Sequence, residues 1–360
     1  MAEPGILIVG CGKIADGHVE EIQKLPSLAT LVGVCDREPL MAEQLAVRYG
    51  VKRHFRSLDD LLSEGKPDVL HITTPPEAHL PLAQQALDAG CHLFVEKPLT
   101  PTHAESVALV EAVRARGKRL TVGYTYLFDP PSLVARDLVT SGVVGSIVHT
   151  ESFYGYNLAG PFGTALFADP SHWVHRLRGG LIQNNLDHIL YKAVEFMDDD
   201  QPSAVAQALV RRETRYGDAR DQLQDELRCV IRGARSTAYG TFSGHARPAA
   251  HFVRLYGTKQ TLHVDFVSRT VVRDPEPTLP SALGRLVPPF TQARRYLGEG
   301  WRNTLRFAKS DFHYFSGLNN LLRSFYGSVL DGGPSPISER DMLRASLLME
   351  QVLDQLVMAP

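Results

Sequence analysis

Short, uninterrupted apolar runs alternate with amphipathic stretches through the first third of the chain. The runs at 6–9, 31–35, 69–73, 93–96 and 120–123 are rich in Val, Ile and Leu and show no polar alternation, the pattern of strands buried on both faces. Between them, 19–25, 40–49, 80–89 and 104–116 repeat apolar residues at helical spacing. This βαβ rhythm predicts a doubly wound parallel sheet, and right-handed crossovers give it a Rossmann layout.

Beyond Gly123 the rhythm changes. A helix near 133–140 leads to a strand at 147–156, and further strand patterns follow at 204–212, 223–231, 236–242, 252–256 and 261–266 with no helices between them. An α+β domain with a mainly antiparallel, open sheet is predicted. Inside it, 179–197 carries apolar residues at helical spacing and reads as one buried helix. The expected division is 1–123 for the Rossmann domain, 124–338 for a substrate-binding and oligomerisation domain, and 339–360 for a closing helix. Residues 275–309 form an atypical insert: Arg285, Arg294, Arg295, Glu299, Arg302, Arg306 and Lys309 surround Phe290, Tyr296, Trp301 and Phe307.

Composition narrows the function. At 360 residues, with 44% apolar and 22% charged positions, the chain is an ordinary globular protein of two domains. Its net charge of −2 provides no overall positive field for nucleic acid or anionic lipid, so a small-molecule partner is expected. No apolar stretch reaches the length of a transmembrane helix, and the opening run lacks a signal peptide's features, so a cytoplasmic location is expected. Cys11, Cys35, Cys91 and Cys229 are widely spaced and read as buried, reduced thiols.

Directly after the first strand comes Gly10-Cys11-Gly12-Lys13-Ile14-Ala15, a GxGxxA pattern opening a helix. Gly10 permits a tight turn, Gly12 leaves room for a pyrophosphate against the backbone, and Ala15 lets helix and strand approach. Asp36 ends the second strand, where a carboxylate accepts hydrogen bonds from ribose hydroxyls and repels a 2′-phosphate. That favours NAD; Arg37 beside it leaves NADP open. Lys97 falls at the carboxyl end of a parallel strand, the edge where such sheets bind ligands.

Two further segments carry a resemblance. Thr73, Thr74, Pro75 and Pro76 with His79 follow the third strand, and Glu96, Lys97 and Pro98 follow the fourth; together they resemble the Gfo/Idh/MocA family (glucose-fructose oxidoreductase, inositol dehydrogenase) from Gly5 to about Gly145. The resemblance implies that Thr73, Thr74, Pro75, His79 and Glu96 surround the cofactor. It also implies that Lys97 lies by the nicotinamide and bonds the substrate hydroxyl, and that Pro98 is cis. Gly179, Gly180, Asn184 and His188 align with the family's GGxxxDxGxH segment. His188 is then the implied general base, with a natural pKa suited to the task. Asn184 and His188 share one helix face, but Asn184 replaces the family's aspartate and Leu186 its glycine. The family's linker arginine is also missing from Tyr126-Leu127-Phe128. Substrate contacts are sought among Tyr124, Tyr154, His172, Trp173, His175 and Tyr191. The HxxH spacing of His172 and His175 lacks a third ligand, and no metal is expected.

The function expected from residues and resemblance together is NAD(P)-dependent hydride transfer at a secondary alcohol or ketone of a sugar, cyclitol or nucleotide sugar. Alternatives are an enzyme that uses bound NAD for transient oxidation in a lyase, hydrolase or epimerase cycle, and a non-catalytic nucleotide sensor. A homodimer or homotetramer is implied by the family's habit of covering the open sheet.

Overall fold

The computed structural model describes residues 3–64, 67–275, 280–310 and 312–357. The chain divides into two compact units, Met1–Thr125 with Gly317–Ser346, and Tyr126–Ser316 with Leu347–Pro360.

The first unit contains β1 (Gly5–Val9), α1 (Lys13–Gln23), β2 (Thr30–Cys35), α2 (Pro39–Tyr49), β3 (His54–Phe55), α3 (Leu58–Ser63), β4 (Val69–Ile72), α4 (His79–Asp88), β5 (His92–Val95), α5 (His103–Ala115) and β6 (Leu120–Val122). All pairings are parallel, in the order β3-β2-β1-β4-β5-β6. This is the Rossmann order, which reverses direction between β1 and β4 and opens a ligand crevice at their carboxyl ends. Ile6, Ile8, Val34, Val69, Leu70, Ile72, Leu93 and Phe94 are buried, as continuous apolar strands require. Helix starts follow local chemistry: Pro39 occupies the first turn of α2, and Thr102 and Glu105 form a complete capping box for α5.

The second unit is built from α6 (Pro130–Thr140), β7 (Ile147–Asn157), α7 (Pro161–Ala168), α8 (Gly180–Val194), β8 (Ser203–Leu209), β9 (Glu226–Arg232), β10 (Thr237–Ser243), β11 (His245–Gly257), β12 (Gln260–Asp265), β13 (Thr270–Pro275), α9 (Ser281–Leu286) and α10 (Pro288–Ala308). Its sheet runs β13-β12-β11-β7-β10-β9-β8 and is antiparallel except for the β7–β10 pair. One face packs on α8. The approach is close at Gly240, where a Cβ would meet the Ile189 side chain at 2.6 Å.

α11 (Ser316–Asp331) and α12 (Glu339–Val357) complete the chain. By sequence pattern 317–338 falls in the second domain, but from Gly317 onward this segment clusters with the first unit. The physical reason is a set of long-range contacts that no local pattern encodes. Phe325 packs edge-on against Phe94, the Tyr326 hydroxyl lies 2.9 Å from His71 Nε2, and Asn319 donates to the buried Glu21 carboxylate at 2.8 Å. The last turns of α12, with Leu348, Met349, Val352 and Leu353, join the core around α8 in the second unit. Residues 1–2 and 358–360 of the predicted domains, and 276–279 of the predicted insert, lie outside the described residues.

Tyr326 anchors α11 through one buried hydroxyl, so Tyr326→Phe should lower the stability of the full chain by about 1 kcal/mol, the net worth of such a bond. Urea unfolding followed by circular dichroism measures it. An unchanged midpoint would show that the bond contributes nothing.

Candidate functional site

The crevice at the reversal point of the first sheet is shaped by backbone. Gly10 ends β1 with φ +96°, a left-handed conformation, and a Cβ there would lie 2.7 Å from Thr74 N. Thr73 holds the turn from below, its hydroxyl donating to Gly10 O at 2.6 Å. Gly12 has open space where a side chain would be, and it begins α1 without a side-chain cap. Lys13 and Ile14 are exposed beside it. Thr74 Oγ1 is buried without a protein partner. A glycine that a Cβ would obstruct, an uncapped helix start and an orphaned hydroxyl together fit a dinucleotide's phosphates.

Asp36 is half-buried at the end of β2. Its Oδ2 accepts the Cys11 N–H at 2.6 Å and its Oδ1 the Glu38 N–H at 2.9 Å. Each oxygen keeps a further lone pair for a ribose hydroxyl. Burial, then the Asp36 charge, pushes the Cys11 thiol up to about 12, so it stays protonated here. Arg37 is exposed.

At the neighbouring strand end, the buried His79 ties two loops together. Nε2 lies 2.9 Å from Thr74 O, and Nδ1 lies 3.0 Å from Pro98 O and 3.1 Å from Leu99 O. The Lys97–Pro98 peptide is cis, as the resemblance implied. Glu96 turns inward instead of facing a ligand. Its carboxylate accepts the Lys97 N–H at 3.1 Å and contacts His18 Nε2 at 3.0 Å. Burial alone would raise its pKa, but the His18 hydrogen bond and the His18 and Lys97 charges prevail and hold it below the ordinary value. His18 Nδ1 lies 2.8 Å from His71 Nδ1, and His71 Nε2 meets Tyr326. Burial, then the His18 charge, drives His71 far below its usual pKa, leaving it neutral. His18, His71 and Tyr326 were not signalled by the sequence, where they stand apart and match no motif.

In the second unit, α8 is buried from Gly180 to Val194 except at Asn184 and His188. These two open positions are one helical turn apart, so both polar side chains reach the same accessible face. Tyr154 and Tyr126 flank the His188 ring, with centroids at 4.9 and 5.4 Å. His188 Nδ1 lies 3.1 Å from the hydroxyl of the buried Tyr191. Tyr154 continues through Tyr156 and Phe162 to His172 and Trp173 as a chain of ring contacts 5.7 to 6.3 Å apart. His175 Nε2 lies 2.8 Å from Leu166 O, and His172 Nδ1 accepts the Val174 N–H at 3.3 Å. Tyr124 is buried within the first unit, 1% exposed. A cavity of about 690 Å³ lined by Asn157, Phe167, Arg211, His245 and Arg247 includes none of the residues singled out from sequence.

One residue of this face escaped sequence reasoning. Lys192, a turn beyond His188, is fully buried. It touches His251 Nε2 and sits over the Tyr126, Tyr154 and Phe266 rings, with Nζ 4.9 to 6.0 Å from their centroids. Burial drives its pKa far down, and burial followed by the Lys192 charge does the same to His251. The available signal was a lysine on the apolar stripe of a buried helix.

The comparisons agree with this architecture. The model of an oxidoreductase family, NAD-binding Rossmann fold, matches residues 5–124. That model is the Gfo/Idh/MocA family's, and it covers a third of the chain. D-glucoside 3-dehydrogenase of Escherichia coli (strain K12) is 31% identical over 147 residues, 41% of this chain and 42% of that protein. Inositol 2-dehydrogenase of Salmonella typhimurium (strain LT2) is 30% identical over 150 residues, 41% of this chain and 45% of that protein. The chain thus spans less than half the length of these two relatives. Over the whole fold, a levoglucosan dehydrogenase solved with NADH and levoglucosan superposes with a TM-score of 0.78 at 17% identity, covering 99% of this chain and 97% of that one.

Lys192 supplies a test. The unfolded lysine keeps its proton to about 10.4, whereas the folded one releases it earlier. Between those values the unfolded state binds more protons, so stability rises with pH. Lys192→Met should therefore be more stable than wild type at pH 7, on the order of 1–4 kcal/mol. The gain should shrink as pH approaches 10. Thermal melts across that range check it; a variant less stable at pH 7 would mean that the amine is a net stabiliser.

Proposed function

We propose that this chain is an NAD-dependent oxidoreductase that moves hydride at a secondary alcohol or ketone of a sugar or cyclitol. The observation that carries the reading is the carboxyl edge of the first sheet, where Gly10, Thr74 and Asp36 shape a dinucleotide cradle beside the Lys97–Pro98 turn. Gly10 and Gly12 admit the pyrophosphate to the first N–H groups of α1, and Asp36 takes the ribose hydroxyls. A bound nicotinamide supplies the hydride acceptor or donor. The substrate class rests on the activities named for the two similar dehydrogenases.

The chain's own groups handle the proton and the orientation. Lys97 donates to the reacting oxygen and favours its alkoxide character. His188 takes the hydroxyl proton at Nε2 in oxidation and returns it in reduction. With Nδ1–H donating to Tyr191, Nε2 carries the lone pair this step needs. Asn184 orients a substrate hydroxyl through its amide, and Tyr154 and Trp173 offer ring surface to a sugar. The outer face of the second sheet exposes Val205, Val230 and Tyr239, and we assign it to contact with further copies in a homodimer or homotetramer.

Two measurements test this. Wild type should bind NAD more tightly than NADP, and Asp36→Ala should narrow the gap; a wild-type preference for NADP would instead give Arg37 the deciding role. His188→Ala and Lys97→Ala should each lower turnover by about two to four decades on a polyol substrate, with NAD affinity nearly unchanged. The histidine variant should also lose the limb of the pH profile near neutrality. Wild-type rates in both variants would defeat the assignment.

A further inference from the structure

The insert folds as an inside-out helix. Beyond Pro288 at its start, the partly covered positions of α10 are Gln292, Arg295, Glu299, Asn303 and Arg306, all polar and spaced by three or four residues. Arg295, Glu299 and Asn303 bond to the edge strand β13 and the turn before it. Glu299 Oε2 accepts the Val271 N–H at 3.1 Å, Arg295 donates to Arg273 O at 2.6 Å, and Asn303 donates to Ser268 O at 2.8 Å. The polar face thus satisfies the free backbone groups of a sheet edge. The opposite face carries Leu283 and Leu286 of α9 and Phe290, Leu297, Trp301 and Leu305 of α10, and these last four are 60–71% exposed. Tyr296 and Phe307 flank the stripe, also exposed.

We propose that this face of α9 and α10 is a peripheral membrane-binding surface that lies on anionic phospholipid. The occupant is argued from charge and from one position. Residues 280–309 hold six basic side chains and one carboxylate, a net charge of +5 in a chain of −2 overall. That carboxylate, Glu299, is turned toward β13 and paired with Arg302. The outward side therefore presents Arg285, Arg294 and Lys309 with leucine and aromatic residues, the composition of helices that lie in a lipid interface. Arg294 falls in the middle of the apolar stripe, between Phe290 and Leu297. A second copy or another protein packed on the stripe would bury that guanidinium without a carboxylate from this helix. A headgroup layer lets it extend to phosphate. The 21 residues of α10 alone give a face of about 32 Å, enough to seat along a bilayer surface.

Flotation of the full-length protein with vesicles tests the proposal. Phosphatidylcholine vesicles with 30% phosphatidylglycerol should bind it at least 10-fold more tightly than phosphatidylcholine alone, with binding reduced at high salt. The fluorescence of Trp301 should shift to the blue on binding. Leu297→Glu with Trp301→Glu should abolish binding, and Arg294→Glu should bring it down to the phosphatidylcholine level; circular dichroism melts matching wild type would confirm that these exposed substitutions leave the fold intact. Failure of the wild type to float with either vesicle overturns the proposal. So does equal binding by the variants, or concentration-dependent self-association that Leu297→Glu with Trp301→Glu removes in the absence of lipid.

Discussion

The first unit depends on burying one carboxylate. Glu96 sits at the end of β5 inside the sheet's carboxyl edge, so close to Gly123 that a Cβ there would lie 2.6 Å from its Oε1. A charge in that position is tolerable only when hydrogen-bonded on both oxygens. His18 from α1 serves one oxygen and the Lys97 N–H the other. The consequence is that α1 and the Lys97–Pro98 turn are tied together by a single group, which packs against Gly123 just past β6. Through His71 the same network reaches Tyr326 on α11, which explains why a helix some two hundred residues after β6 completes this unit.

That network also explains what could be read in the sequence. β1, β2, β4, β5 and β6 were legible because strands covered on both faces must be continuously apolar, and the helices between them because one face must be. Gly10, Gly12 and Asp36 were legible because a phosphate cradle constrains backbone and spacing together. His18 and His71 were not, since each looks locally like any histidine, and their meaning lies in contacts 53 and 78 residues away in the chain. β3, with two residues, is too short to show a period. Helix α11 has a clear apolar stripe, but nothing local tells which sheet that stripe covers.

α8 shows the same limit from the other side. Its apolar spacing gave the helix, and the resemblance gave Asn184 and His188, the two positions that stay open to solvent. Lys192 interrupts the apolar pattern without changing the periodicity, so nothing in the local sequence marks it out. Its surroundings are aromatic rings and a histidine that burial keeps neutral, which offer polarisable surface but no counter-charge.

Lys192 and α10 are therefore exceptions of one kind. A foldable sequence makes local choices that agree with the global structure, and departures are retained where something other than stability benefits. A lysine beneath His188 conflicts with burial, and a leucine and tryptophan stripe in solvent conflicts with the hydrophobic effect. In α10 the conflict cannot be relieved by rotating the helix. Turning the stripe inward would bring apolar side chains against the unpaired N–H and C=O groups of β13, which Glu299, Arg295 and Asn303 now satisfy. The edge strand thus fixes which face of the helix points out, and an apolar face fixed outward keeps its energetic cost until something apolar and anionic covers it.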